Sequence, residues 1–140
     1  MIKEIIGYTT ATTVLPKTDG GGVTHEYVEI GGIKWATMNI GANSVTDAGL
    51  YFQWGDTQGY TADQIGNGEG QKKFDWTSYK YGYAPDMFSP PTVTKYNSTD
   101  NKTTLDVEDD AAQQLLGGSW RMPTSDEFAL LKESTNIEWT

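Results

Sequence analysis

The chain has 140 residues, 36 % of them hydrophobic and 12 % aromatic, enough for one domain with a core and too few for two. Ten Lys and Arg against nineteen Asp and Glu give a net charge of −9, the wrong sign for neutralising phosphates, which argues against nucleic acid as a partner. Cysteine is absent, which excludes disulfides, thiolate metal sites and cysteine nucleophiles.

The opening residues, MIKEIIGYTT, hold no apolar run of the length that a signal peptide or membrane helix needs, so no membrane partner is expected. Residues 1–22 mix short apolar pieces with TTATT and end in DGGG, and read as an arm and flexible linker; residues 23–140 form the domain. From Glu26, EYVEI and IKWATM are two runs of β-forming residues joined by Gly31-Gly32, a hairpin signature. Residues 41–60 read as a loop, a short aromatic strand over 50–54 and a Gly-Asp turn. Residues 61–104 lack periodicity yet carry Phe74, Trp76, Tyr79, Tyr81 and Tyr83, so a folded long-loop region is expected rather than disorder.

Next, TLDVEDDAAQQLLGG predicts a short helix with Asp106 as N-cap, acids in its first turn, an apolar stripe of Val107, Ala111 and Leu115, and Gly117-Gly118 as its stop. A second helix starts at Thr124, which with Glu127 makes a capping box. Pro123 sets the entry, and Phe128 and Leu131 face inward.

The ordered blocks WATMNIGA, GLYFQWGD, KKFDWTSYKY, TKYN, DNKTTLDVEDDAA and GGSWRMPTSDEFALL resemble the paralogous domain first named from Fibrobacter, the FISUMP domain, over residues 26–139. That family is similar to the C-type-lectin-like fold and, within it, to the formylglycine-generating enzyme group, whose Arg-hydrophobic-Pro-Thr-x-x-Glu-aromatic block matches Arg121, Pro123, Thr124, Glu127 and Phe128. The resemblance implies an α+β, C-type-lectin-like domain: a twisted antiparallel sheet, two bracing helices and long loops. Trp35, Trp54 and Trp120 belong to its structural motif. It also implies strands beyond the second helix, so the fold is expected to be incomplete at the C-terminus. A further stretch of chain or a partner would supply the rest.

Each chemical reading has a plainer competitor. A single histidine, His25, makes no triad by itself, and a structural role is expected; formylglycine-type catalysis needs cysteines that this chain lacks. Asp100, Asp106, Glu108, Asp109 and Asp110 offer hard oxygen ligands for calcium, against which stands helix capping; calcium is a possible cofactor and no other is implied. Tyr60, Tyr79, Tyr81 and Tyr83 are candidate ligand-binding rings, and the aromatics at Trp54 and Trp76 read as core anchors or as part of the same sugar-stacking platform. The glycines of GNGEG follow no strand–helix unit and read as a turn.

The expectation is thus a non-catalytic recognition module displayed on a virion or cell surface, in the manner of a phage fibre protein, binding a cell-surface glycan or protein. Residues 1–22 would dock it to other virion or surface proteins as a homo-oligomer. The alternatives are an exported bacterial adhesin and a purely architectural virion component.

Overall fold

In this computed structural model, the described residues are 17–19, 23–84 and 88–135. Most of the 1–22 arm and the chain after residue 135, Trp139 included, lie outside them. The architecture is mixed α+β. Six short strands are described: β1 (Lys17–Asp19), β2 (Val23–His25), β3 (Tyr27–Ile30), β4 (Ile33–Ala36), β5 (Gly82–Tyr83) and β6 (Thr92–Val93). Two α-helices follow, α1 (Ala111–Leu116) and α2 (Ser125–Ser134). Where one twisted sheet is expected, the described strands form three separate antiparallel pairs, β1 with β2, β3 with β4, and β5 with β6. Residues 17–19, read as the end of a linker, pair with 23–25.

The β3–β4 hairpin forms as its sequence demands. Gly31 and Gly32 take φ of +60° and +78°, the pair of positive values that a two-residue type I′ turn requires and that residues with a Cβ resist. The register sets Val28 opposite Trp35 and Ile30 opposite Ile33, while the Lys34 ammonium lies 4.9 Å from the centre of the Tyr27 ring. Both helices touch this hairpin: Leu130 of α2 approaches Gly31, and Leu116 of α1 lines a small cleft with His25, Ala36 and Met38.

The two helix predictions part ways. For α2 the capping box is present: Thr124 Oγ1 accepts from the Glu127 amide at 3.2 Å, and Glu127 Oε2 accepts from the Thr124 amide at 2.8 Å. Leu131 is buried and Phe128 half-buried, so the inward face is placed correctly. The first helix is shorter than expected. Residues Val107–Asp109 make a 3-10 turn, and α1 starts at Ala111 with Asp110 as its N-cap, its Oδ1 accepting from the Gln113 amide at 3.1 Å. Asp106 caps only the 3-10 turn, by backbone and not by side chain. The stripe is rotated with it: Val107 and Leu115 are 64 % and 46 % exposed, and the buried pair is Ala111 and Ala112. Local charge rules favoured Asp106; long-range partners of Asp109 and Asp110 decided the frame.

The predicted strand over 50–54 does not form. Tyr51 pairs with Tyr60 in one isolated bridge, and a turn closed by the Asp56 amide on the Gln53 carbonyl, with Gly55 at φ +75°, bends the chain away. Residues 41–84 and 88–104 are folded in large part by side chains that satisfy nearby backbone, the usual work of Asp, Asn and Ser in turns. Asp47 accepts from the amides of Asn43 and Gly49. Asp75 accepts from those of Thr77 and Ser78. Gln71 closes the GNGEG turn by accepting from the Gly68 amide at 2.9 Å and donating to the Asp63 carbonyl at 2.8 Å.

Candidate functional site

Among the described residues, the most buried side chain is not apolar. Asp109, 1 % exposed, ends the 3-10 turn and points its carboxylate into four donors. Lys80 Nζ and Tyr81 OH reach Oδ1 at 2.6 and 2.5 Å; Lys95 Nζ and Tyr96 OH reach Oδ2 at 2.5 and 2.7 Å. Two Lys-Tyr dipeptides thus clamp one carboxylate, one pair to each oxygen. The rings of Tyr81 and Tyr96 meet edge to face at 5.6 Å, and the Lys95 ammonium lies 5.3 and 5.0 Å from their centres. Tyr96 sits at φ +61°, a strained value for a bulky residue, held by the Asp100 carboxylate on its amide and by the Asp106 amide on its hydroxyl.

The electrostatics follow from this geometry. Burial alone would raise the Asp109 carboxyl, and the donors from Lys80, Lys95, Tyr81 and Tyr96 more than reverse it, holding the acid far below the usual carboxylate range. The Lys95 ammonium is pushed up by Asp106 and Asp109, and Lys80 is pushed up by Asp109. Burial and the adjoining Asp109 push the Tyr96 phenol up. A general acid or base works best with a pKa near the working pH, and each of these groups moves away from neutrality. The cluster holds charge in place; it is not set to exchange protons.

The carboxylate oxygens of Asp106, Glu108 and Asp109 lie within 4.8 Å of one another, a spacing that could hold a metal ion. The Lys95 ammonium lies among them, 2.7 Å from Asp106, 3.8 Å from Glu108 and 2.5 Å from Asp109. Of the other two acids expected there, Asp100 instead accepts from the amides of Tyr96, Asn97 and Lys102 in its own loop, and Asp110 caps α1.

Behind the clamp, Asp110 joins the two helices. Its Oδ2 accepts from the Met122 amide at 2.8 Å, which fixes the Arg-Met-Pro entry to α2. Arg121 then grips Glu127 with both ends of its guanidinium, at 2.8 and 2.5 Å, and with the Thr124 amide this pulls the Glu127 carboxyl down to about 2. Pro123 is half-buried beside them. Trp120 is half-buried and meets His25 edge to face at 6.0 Å; Trp35 is half-buried with its indole N–H enclosed and unpaired.

The aromatic candidates divide. Tyr79 and Tyr81 are half-buried neighbours, 6.3 Å between ring centres, and the Tyr81 hydroxyl is spent on Asp109. Tyr60 is half-buried elsewhere against Phe74. Tyr83, in β5, is 58 % exposed. Trp54 and Trp76, read foremost as core anchors, are 45 % and 49 % exposed.

Lys80, Lys95 and Tyr96 were not singled out from sequence. The signal that could have found them is the repeated Lys-Tyr dipeptide at 80–81 and 95–96, in a chain with few basic residues. Compared with protein-family models, with curated proteins and with solved structures, the chain matches none.

Proposed function

We propose that this chain is a non-catalytic recognition module, displayed on a virion or bacterial surface, that binds a cell-surface glycan or protein through its loop aromatics. The observation that carries the reading is the contrast between the two halves of the candidate site. The ionisable groups are paired and driven away from neutrality, whereas Trp54 and Trp76, on loops tied to that paired centre, and Tyr83, in β5, present large rings to solvent. Recognition sites favour rigid aromatic rings, because two torsions order a large contact area.

The C-type-lectin-like assignment and the FISUMP resemblance belong to this proposal. They rest on the six ordered sequence blocks, with the 27–36 hairpin, the capping box and the long-loop region as the pieces consistent with them. Docking of residues 1–22 to other surface proteins and homo-oligomerisation are part of the same reading. A calcium ion among Asp106, Glu108 and Asp109 is disfavoured, since it must displace Lys95 from its carboxylates.

The test is binding of the labelled full chain to a glycan array and to intact gut-bacterial cells. Saturable binding to one glycan class or strain set is expected. Absence of binding on both, with a folded protein, would favour a purely architectural component.

A further inference from the structure

Resting on that reading, we propose that the seam between residues 53–58 and 74–80 is a stacking site for an uncharged sugar ring, with Trp54 and Trp76 as its platforms and Lys80 as the residue that positions them.

Both indoles leave segments that are fixed on either side and fixed to each other. Gln53 Nε2 reaches the Asp75 carbonyl at 3.5 Å and Ser78 Oγ at 3.4 Å. On the other side of Trp54, the Gly55 carbonyl accepts from Lys80 Nζ at 3.3 Å. Gly55 is buried against Tyr81 and Tyr96, so closely that a Cβ there would stand 3.0 Å from the first ring and 3.3 Å from the second. Trp76 lies in the turn held by Asp75 and Ser78, and rests edge to face on Tyr79 at 5.9 Å. Two half-exposed indoles therefore emerge from one seam whose backbone is tied to the Asp109 clamp through Lys80, which bridges Gly55 and Asp109.

The surroundings select the occupant. Neither indole N–H has a hydrogen-bond partner among the described residues, so each ring offers an apolar face and a free donor at its rim. A pyranose presents the matching pair, a C–H face and a hydroxyl edge. Asp56, Gln58, Asp75, Thr77 and Ser78 lie between the rings along the two segments, so although Phe74 is 38 % exposed beside them, polar side chains interrupt the apolar face that a protein or lipid contact would use. The seam carries the carboxylates of Asp56 and Asp75 and the Lys72 ammonium, 3.2 Å from the Ser78 carbonyl, while the Lys80 charge is matched by Asp109 and the whole chain carries −9. Anionic sugars and nucleic acid are repelled, and a neutral ring is not.

The experiment titrates the full chain with neutral polysaccharides (dextran, mannan, galactomannan, mixed-linkage β-glucan) and with anionic alginate, reading affinity electrophoresis and tryptophan fluorescence. At least one neutral polymer should retard the protein and perturb its fluorescence, with alginate inert. Trp54→Ala and Trp76→Ala should each weaken binding about tenfold or more, the loss expected of a central aromatic contact. Trp54→Tyr and Trp76→Tyr, which keep a ring, should restore part of it. Lys80→Met, which keeps both indoles but cuts the bridge from Gly55 to Asp109, should weaken binding by a smaller factor and shift the tryptophan fluorescence of the free protein. Circular dichroism confirms that each variant is folded. Binding to array glycans or cells that survives both Trp→Ala changes, or that is confined to alginate, overturns this inference and leaves the recognition reading standing. Binding to no glycan and no cell removes both.

Discussion

Replacing Asp109 by Asn keeps the side chain's size and shape and removes the charge at the centre of the clamp. The amide offers one carbonyl oxygen to one Lys-Tyr pair and turns an NH2 group toward the other, so an ammonium and a phenol face a donor. Hydrogen bonds to charged groups contribute about 1.5–3 kcal/mol each in mutational series, and four added together would exceed about 6 kcal/mol. That sum overshoots, because Lys80 and Lys95 are 40 % and 23 % exposed and can swing their ammonium groups into water. Breaking a buried ion pair costs about 3–5 kcal/mol, and rehydration of the lysines sets the expectation at the lower end, about 3 kcal/mol. With a urea dependence of about 1.5 kcal/mol per molar, the unfolding midpoint should fall by about 2 M. The assay is equilibrium urea unfolding followed by tryptophan fluorescence. A loss under about 1 kcal/mol, the range of an exposed ion pair, would refute the reasoning. Combining Asp109→Asn with Lys95→Met should cost less than the sum of the two single changes, since both remove the same contact.

Four further outcomes follow from the same geometry. Asp109 and Glu127 are both more acidic folded than unfolded, so their stabilisation is complete above the ordinary carboxylate values and is lost as pH falls through the folded ones; for Glu127 the window runs from 4.5 to about 2, and unfolding followed against pH should show a steep loss there and little change between neutrality and about pH 5. Thr124→Ala should cost about 1 kcal/mol in the same urea assay, by removing the acceptor for the Glu127 amide. Gly49→Ala should cost about 2–3 kcal/mol, because φ is +67° and the new Cβ would stand 2.4 Å from the Ile40 carbonyl oxygen. Millimolar calcium should leave the thermal midpoint of the native chain unmoved, and Lys95→Met, which opens the three carboxylates, should make it respond; a response in the native chain would show that the ion outcompetes the ammonium.

How much of this was legible in the sequence depends on how local each cause is. The 27–36 hairpin and the Thr124 box were readable, since Gly31-Gly32 and Thr124-x-x-Glu127 carry their geometry within four residues. The acids at 106–110 were read by the same local logic and misplaced. Their run looks like a helix N-terminus, and one of them, Asp110, does cap α1, but Asp109 is fixed by lysines 29 and 14 residues upstream. No period or cap rule encodes that separation. Trp54 and Trp76 fail for a related reason: a large ring defaults to the core, and only the seam made by Gln53, Gly55 and Lys80 shows that their loops are held from beneath.

The central claim is that the acidic segment is a structural knot from which the loops are hung, and a carboxyl carbon NMR titration of Asp109 in the full chain tests it most directly. The account predicts that this resonance keeps its ionised shift, unaltered by pH, until the protein unfolds in acid. An inflection in a still-folded chain at about pH 4 or above would mean an ordinary or a proton-exchanging carboxyl, and would contradict it.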